Sequence, residues 1–434
     1  SGVIFYVMHA SIYQFTVLIF IGAIALTASS IVSAQATATI DELQQKISSK
    51  ADELQKLTPV IKQLEKDIDT TVAQKKTLGT EIKTLDLTKK KLETDIKITQ
   101  TKVDSTDLKI RQLASEISYK ENEITGRVAA LKEALLVIYE SDEQSLAEVA
   151  LSNESFSGLW NDLETLEQFS AGVNENVALL KALKQELDDR NNKQKTEKGK
   201  LLGLKDELGD QKKITEQNTK QKAQLLKVTS NQEALYQKTL KQKLALKDAL
   251  EQELREYEST LKFILDPTSF PPRGTKVFAS PLDNVRITQQ FGKTSSSARL
   301  YASGTHNGTD FGASVGTPVK AMLTGTIIGT GDTDVTCPGA SYGRWILIRH
   351  NNGLASLYAH LSLIKVSEGQ EVNTGDTIGY SGNTGYSTGP HLHLTVFAAA
   401  GVKVESRPSK SCGGRSYTLP LAAFNVYLNP MDYM

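Results

Sequence analysis

The sequence of 434 residues allows about two or three domains, and its 50 basic and 50 acidic side chains give a formal net charge of zero. This balance argues against a dedicated nucleic-acid binder, which ordinarily carries a basic surface. Charge is unevenly distributed, however, because residues 1–40 contain no Asp, Glu, Lys or Arg. The chain therefore consists of segments with different physical character.

The uncharged N-terminal segment has the features of an export signal. Residues 15–26 (FTVLIFIGAIAL) form a continuous apolar run, and Ala34 and Ala36 match the A-x-A cleavage pattern. We therefore predict that residues 1–36 are a signal peptide and that the protein is exported, periplasmic or extracellular, and associated with the cell envelope. An uncleaved membrane anchor is the alternative, because flanking residues would extend the run toward the ~20 residues that a membrane span needs.

Residues 39–265 predict a long helical region, since they are rich in Lys, Glu, Gln, Leu and Ile. A heptad frame runs from Ile61 to Ile124 with alternating spacings of three and four residues, and most of its positions are aliphatic. Such a sustained period indicates a left-handed coiled coil. A second charged stretch has a looser frame: Leu201, Leu208, Leu225, Leu250, Tyr257 and Ile264. Together the two stretches predict an antiparallel coiled-coil hairpin.

The segment between these two stretches, residues 128–173, is more apolar and more aromatic, with Phe156, Trp160 and Phe169. We predict that it forms a helical tip at the far end of the hairpin. Most of its apolar side chains are expected to form helix-packing core. An apolar segment at the end of a rod also suits a docking surface for a partner.

Residues 266–275 (DPTSFPPRGT) contain three prolines and a glycine, which predicts a linker or turn. Residues 276–434 then shift to short runs rich in Gly, Thr, Ser and Val, with a hairpin signal at Asn352-Gly353. This pattern predicts a mostly antiparallel β domain. It contains both cysteines, Cys337 and Cys412, and in an exported protein a disulfide is favoured over two free thiols.

Five of the six histidines also lie in this predicted β domain. Asp310 follows His306 by four residues, and His391 and His393 share one face of a predicted strand. A histidine, a nearby carboxylate and a distant histidine suit a three-ligand zinc site that leaves a position for water. The surplus imidazoles suit general-base work and oxyanion stabilisation, whereas His350 matches no such pattern and is expected to be structural.

The motifs HNGTD, LYAHL and GPHLHL occur in this order within residues 286–400 and resemble those of the M23 zinc metallopeptidases, the lysostaphin and LytM-like family. The resemblance implies that His306, Asp310 and His393 bind one Zn²⁺. It also implies that His360 and His391 are catalytic, orienting a water molecule and accepting its proton. Members of this family cut peptides of bacterial peptidoglycan, so peptidoglycan is the expected substrate.

The whole layout, a coiled-coil hairpin followed by a LytM-like β domain, resembles the EnvC-type murein hydrolase activators. In that group the coiled coil docks on the membrane division pair FtsE–FtsX, and a LytM domain without its metal ligands activates separate amidases. All five site positions are filled here, which favours a zinc endopeptidase acting in wall remodelling or daughter-cell separation. A non-catalytic activator is the alternative, and a structural wall-binding protein is a third. The coiled coil is expected to regulate the β domain by holding its groove closed.

Overall fold

The computed structural model describes residues 40–72, 76–142, 156–294, 297 and 304–434. The predicted leader, residues 1–36, and the middle of the predicted tip, residues 143–155, lie outside the described residues. Among the helices that are described, none is both long enough and apolar enough to cross a membrane.

Four long helices precede the β domain: α1 (residues 40–72), α2 (Leu78–Asp142), α3 (Phe156–Thr229) and α4 (Glu233–Thr260). The heptad prediction is confirmed where Ile68, Leu92 and Val103 are buried. Ile264 was wrongly predicted as a seam residue, because α4 ends four residues before it and its side chain is 96% exposed.

The chain divides into two compact units, and the division cuts across α2 and α3. The first unit contains the described residues of 1–57 and 98–207, and the second contains residues 58–97 and 208–434. The second unit therefore joins helical segments to the whole β domain, although the sequence suggested a boundary at residues 266–275.

Within the first unit, side-chain pairs between α2 and α3 give the two helices opposite directions. Glu116 contacts Arg190, Lys120 Nζ lies 3.3 Å from Glu186 Oε2, and Arg127 Nη1 donates to Asn176 Oδ1 at 3.4 Å. Residue numbers rise along one helix as they fall along the other, which is the predicted antiparallel pairing. These partly exposed ion pairs fix the register more than they stabilise the helices.

The heptad frame runs on through Lys75 and Leu78, yet residues 76 and 77 are not helical and a new helix begins at Leu78. Thr77 and Thr80 cap this start reciprocally: the Thr77 N–H donates to Thr80 Oγ1 at 2.9 Å, and the Thr80 N–H donates to Thr77 Oγ1 at 3.2 Å. Glu233 accepts a further bond from the Leu78 N–H at 2.7 Å. Local capping therefore begins a new helix where the apolar period alone predicted a continuous one.

The described residues of the β domain form thirteen short strands. They are β1 (Ile287–Gln289), β2 (Thr309–Gly312), β3 (Pro318–Lys320), β4 (Gly325–Asp332), β5 (Arg344–His350), β6 (Leu354–Ala359), β7 (Leu361–Ile364), β8 (Glu371–Val372), β9 (Thr377–Ser381), β10 (His391–Ala398), β11 (Val402–Pro408), β12 (Ser416–Ala422) and β13 (Tyr427–Leu428). The main sheet has the order β1-β2-β10-β6-β5-β4-β8, with β13 also pairing β10. Smaller sheets join β3-β9-β7 and β11-β12, and all pairings are antiparallel as predicted.

Apolar side chains from both faces of this sheet system form one core that includes Trp345, Phe311 and Phe397. Leu250 and Leu254 of α4 belong to the same core, so this helix is packed on the β domain. Their burial contributes about 2 kcal/mol each to holding it there.

The two cysteines are joined in a disulfide, Cys337–Cys412, with the Cα atoms 5.8 Å apart, which confirms the pairing favoured from sequence. It links the loop before β5 to the turn between β11 and β12. The bridge closes a long segment of chain, since its cysteines are separated by 75 positions in sequence.

We expect the double substitution of Cys337→Ala and Cys412→Ala to lower the free energy of unfolding by about 4 kcal/mol, because the unfolded chain regains the freedom that the bridge removes. Urea unfolding followed by tryptophan fluorescence measures this change. Wild-type protein treated with reductant should unfold at the lowered midpoint as well. An unchanged midpoint in both samples would contradict a stabilising role for the disulfide.

Candidate active site and metal centre

Three neighbouring strands of the main sheet position the predicted site. His393 on β10 lies opposite Asp310 on β2 and opposite Ala359 on β6, directly before His360. Leu392 and Leu394, the alternate residues of β10, are completely buried in the core. The period of two along a strand thus directs His391 and His393 to the face away from these leucines.

His306, Asp310 and His393 form a compact buried cluster in which each side chain contributes one metal-ligating atom. Asp310 Oδ1 lies 3.2 Å from His306 Nε2 and 2.8 Å from His393 Nδ1, and the two nitrogens are 3.1 Å apart. The structure therefore brings together all three residues predicted as metal ligands.

The second ring nitrogen of each histidine is held by a separate oxygen. His306 Nδ1 lies 3.0 Å from the Gln290 carbonyl oxygen, and His393 Nε2 lies 2.9 Å from Thr395 Oγ1. These bonds fix the ring orientations and leave one nitrogen of each ring facing Asp310. Two imidazoles and a carboxylate oriented in this way fit the ligand set of a catalytic zinc ion.

The electrostatics of the cluster favour an ionised carboxylate. Burial acts to raise the pKa of Asp310, but the charge of His391 and the bonds to His306 and His393 outweigh it and hold this pKa well below its usual value. Burial also lowers the pKa of His393, with Asp310 opposing the shift. A neutral imidazole beside a carboxylate is the protonation state that metal ligation requires.

Gly308 allows the turn after His306 to approach β10 closely. A Cβ atom at this position would lie 2.4 Å from the carbonyl oxygen of Leu394 and 2.7 Å from the ring of His393. Both distances are too short, so a larger residue would displace the strand that carries a metal ligand.

We expect Gly308→Ala to weaken zinc binding at least about tenfold, because it displaces His393 from His306 and Asp310. Competition with a chromophoric chelator measures the affinity. Gly209→Ala is the matched control, since a Cβ there meets nothing within 4 Å. Zinc affinity equal to that of the wild type in Gly308→Ala would show that this close approach does not position the ligand.

His360 and His391, the predicted catalytic pair, lie beside the metal cluster. Their ring centroids are 4.7 Å apart, and His391 Nε2 is 3.5 Å from Asp310 Oδ1. His360 Nδ1 lies 2.8 Å from the Thr384 carbonyl oxygen, and His391 Nδ1 lies 2.8 Å from that of Gly389. With these Nδ1 atoms donating, each Nε2 is left to exchange a proton in the site.

His360 also has unusual backbone and electrostatic properties. Its φ angle is +60°, a left-handed conformation that is uncommon for a residue other than glycine and that recurs at functional sites. Burial, and then the charges of His391 and His393, hold its pKa well below the ordinary value. The ring is therefore neutral near pH 7, and its unprotonated Nε2 is available as a hydrogen-bond acceptor in the site.

The site opens into a cavity of about 370 Å³, and α4 supplies part of its wall. Leu250, Glu251, Leu254, Arg255 and Glu258 of α4 face His306, His360 and His393 across this space. The other lining residues are Phe291, Thr305, Asn307, Ser341, Tyr342, Tyr386, Phe424 and Tyr427. No sequence pattern indicated that these additional residues line the site; Leu250 was predicted only as a residue of a helix seam.

His350, expected to be structural, lies away from this cavity in a buried hydrogen-bonded environment. Its Nε2 is 2.8 Å from Ser356 Oγ, and its Nδ1 is 3.1 Å from the Thr324 carbonyl oxygen. Burial lowers its pKa, which agrees with a neutral side chain that packs in the core.

Comparison with known proteins places this geometry in a family. Residues 304–406 match the sequence profile of peptidase family M23. DD-carboxypeptidase/endopeptidase Mpg of Neisseria meningitidis is 42% identical over 113 residues, which cover 26% of this chain and 24% of that protein. Peptidoglycan DD-endopeptidase ShyA of Vibrio cholerae is 44% identical over 91 residues, covering 21% of this chain and 20% of that protein.

Among solved structures, the catalytic domain of lysostaphin from Staphylococcus simulans is 29% identical, with 34% of this chain and 91% of that domain covered and a TM-score of 0.25. The chain spans about a quarter or less of the length of the two curated relatives described above. The similarity therefore concerns the C-terminal domain, where the five site residues lie. Residues 304–406 of this chain form a domain of peptidase family M23.

Proposed function

We propose that the protein is a zinc-dependent endopeptidase that hydrolyses peptide bonds of bacterial peptidoglycan. The observation that carries this proposal is the convergence of His306, Asp310 and His393 in one buried cluster, with His360 and His391 beside it. The names of two relatives, a peptidoglycan endopeptidase and a carboxypeptidase/endopeptidase, support the substrate class.

A zinc ion bound by the three ligands would supply Lewis-acid activation of water and of the peptide carbonyl group. His360 and His391 have the separate task of moving protons. Each of these rings has Nδ1 bound to a carbonyl oxygen and Nε2 open to the site, so the pair would accept the proton of the attacking water and pass it to the leaving amine. The oxygen that holds each Nδ1 keeps these rings from rotating out of position.

Regulation by the helical region is the second part of the proposal: α4 covers the groove in the state described. Four contacts attach it to the β domain. Lys247 Nζ donates a hydrogen bond to the Ser387 carbonyl oxygen at 2.7 Å, and Tyr257 OH donates one to the Pro408 carbonyl oxygen at 2.6 Å. The Glu253 carboxylate accepts hydrogen bonds from the turn after β11, and the Glu258 carboxyl accepts one from Tyr427 OH. A peptide strand cannot enter the space that Leu250 and Leu254 fill, so hydrolysis requires α4 to move away.

The exposed apolar surface at the end of α2 is a candidate binding site for the partner that would trigger the release of α4 from the groove. Val128, Leu135 and Tyr139 are 51%, 49% and 63% exposed. We propose that this surface, within the predicted tip, binds a membrane division partner of the FtsE–FtsX type, and that the protein works outside the cytoplasmic membrane. Binding of the isolated partner's exported domain, lost in Leu135→Glu and kept in Glu133→Lys, would test this, since Glu133 is exposed but lies outside the apolar surface lined by Val128 and Leu135.

Glu258 gives the docking of α4 a pH dependence. Burial raises the pKa of this carboxyl to about 7 from an ordinary 4.5, although Tyr427 and Arg255 act in the opposite direction. The folded state therefore holds a proton that the unfolded state releases between pH 4.5 and 7. The protonated Glu258 carboxyl contributes its full stabilisation of the folded state below pH 4.5, and this contribution is lost as pH rises through 7.

We expect the wild type to lose about 3 kcal/mol of stability, relative to Glu258→Gln, as pH rises from 4.5 to 8. The glutamine cannot ionise, so the variant lacks this slope, while Tyr342 and Tyr427, which face Glu258 from the β domain, keep pKa values above this range. Urea unfolding of both proteins at several pH values measures the difference. Parallel stability profiles would mean that Glu258 stays ionised or exposed.

A further inference from the structure

A group of neutral hydrogen-bonding side chains lies in the cavity wall next to the metal cluster. Asn307, adjacent to the ligand His306, donates from Nδ2 to Tyr342 OH at 3.0 Å. Tyr342 and Tyr427 both line the cavity, and Tyr427 OH contacts the Glu258 carboxyl. We call Asn307, Ser341, Tyr342 and Tyr427 the hydroxyl cluster.

Ser341 adds an unused hydrogen-bonding group to this cluster. Its Oγ atom is buried and has no hydrogen-bond partner among the described residues, although Ser341 lines the cavity. Its φ angle of +42° is left-handed, which is costly for a serine and recurs at ligand-binding positions. A buried hydroxyl without a hydrogen-bond partner lowers the stability of the folded state, unless a bound ligand supplies the missing hydrogen bond.

The charges around the cavity indicate what kind of ligand fits. Among the described lining residues, the carboxyl and guanidinium groups of Glu251, Arg255 and Glu258 all come from α4, whereas the β domain contributes neutral side chains and histidines. When α4 moves away, the hydroxyl cluster therefore keeps hydrogen-bonding groups of both kinds and no Lys or Arg side chain to pair with a carboxylate. An uncharged group with a carbonyl and an N–H suits it best.

We propose that the hydroxyl cluster is a substrate subsite for an amide group of the peptidoglycan peptide, and that Glu258 occupies it as a built-in substitute when α4 is docked. This proposal rests on the proposed function, because it assumes a peptide substrate in the groove. The buried carboxyl of Glu258 has the planar shape and, when protonated, the donor and acceptor of an amide. The subsite lies beside the metal ligands, so it would fix which part of the peptide faces the catalytic histidines.

The test uses the full chain with Glu253→Ala, which undocks α4, combined with Glu258→Ala, which removes the substitute carboxyl. Two fluorescent probes are compared: a soluble disaccharide stem peptide with free carboxylates, and the same peptide with those carboxylates converted to primary amides. We expect the amidated probe to bind at least about tenfold more tightly, because a carboxylate in the subsite would lack a Lys or Arg partner. Adding Tyr427→Phe or Ser341→Ala should reduce this ratio to within about twofold.

Tyr417→Phe in the same background is the matched control, since Tyr417 is a buried tyrosine outside the cavity lining, and it should keep the full ratio. Equal affinities, or tighter binding of the carboxylate probe, would overturn the subsite. Metal-dependent hydrolysis with equal affinities would leave the endopeptidase proposal standing. A tenfold ratio without any hydrolysis would support the subsite and reject the endopeptidase.

Discussion

Substituting Glu253 by alanine should raise peptidoglycan hydrolysis by the full-length protein at least about tenfold. Glu253 accepts hydrogen bonds from Ser409 Oγ at 2.9 Å, from the Lys410 N–H at 2.8 Å and from the Ser411 N–H at 3.3 Å. Losing bonds to a charged group costs about 2 to 4 kcal/mol, which would populate the state with α4 undocked. Release of dye from labelled peptidoglycan measures the rate.

Glu256→Ala is the matched control for this experiment, because Glu256 is an exposed acidic residue three positions along the same helix. It should leave the rate unchanged. An equal rate in the wild type and Glu253→Ala, with both proteins folded and zinc-loaded, would contradict the view that α4 limits access to the groove. It would not bear on the metal cluster itself.

The second large effect is expected for His393→Ala, which should lose at least about a hundredfold in both zinc affinity and hydrolysis. The substitution removes one ligand and leaves the buried Asp310 carboxylate without its bond at 2.8 Å. Metal content by mass spectrometry and dye release in the Glu253→Ala background measure both quantities. Treatment with EDTA should reproduce the loss of activity.

His350→Asn tests whether the effect is specific, because this histidine is equally buried but hydrogen-bonded to Ser356 outside the cavity. It should keep its zinc while losing stability. If His393→Ala cleared peptidoglycan as fast as its parent, the metal assignment would be wrong. If the zinc-loaded parent did not clear peptidoglycan at all, the activator function would be favoured, and a partner amidase would be sought.

The site was more predictable from sequence than the helical region, for a physical reason. His391, Leu392, His393 and Leu394 alternate along a strand, and this alternation alone assigns two side chains to the core and two to the other face. The site residues far from β10 in sequence, His306, Asp310 and His360, were predicted from the order of the family motifs. They lie near β10 because it pairs with β2 and β6, and this pairing is a property of the whole sheet. Spacing alone predicts neither the pairing nor the distances.

The packing of α4 on the β domain, instead of on another helix, was not predicted, because a leucine on a helix face is the same signal whether it packs on another helix or on a sheet. Leu250 was assigned to a coiled-coil seam, yet it packs in the core of the β domain. Glu258 carried no signal at all, since a glutamate near the end of a charged helix is expected to face solvent. Likewise, the break before Leu78 depended on threonine capping, which the heptad frame ignores.

The side chains with carboxyl or guanidinium groups in the cavity lining belong to α4, and this affects how an open groove would attract substrate. If α4 undocks as proposed, Glu251, Arg255 and Glu258 leave the cavity with it, and the uncovered groove would retain few fixed charges besides the metal cluster. Association with peptidoglycan peptides would then vary little with ionic strength, because screening weakens only interactions between charges. Salt would instead weaken the docked state, in which Arg255 and Lys247 lie over aromatic rings. Ionic strength would therefore change the fraction of molecules with an open groove more than the affinity of that groove for substrate.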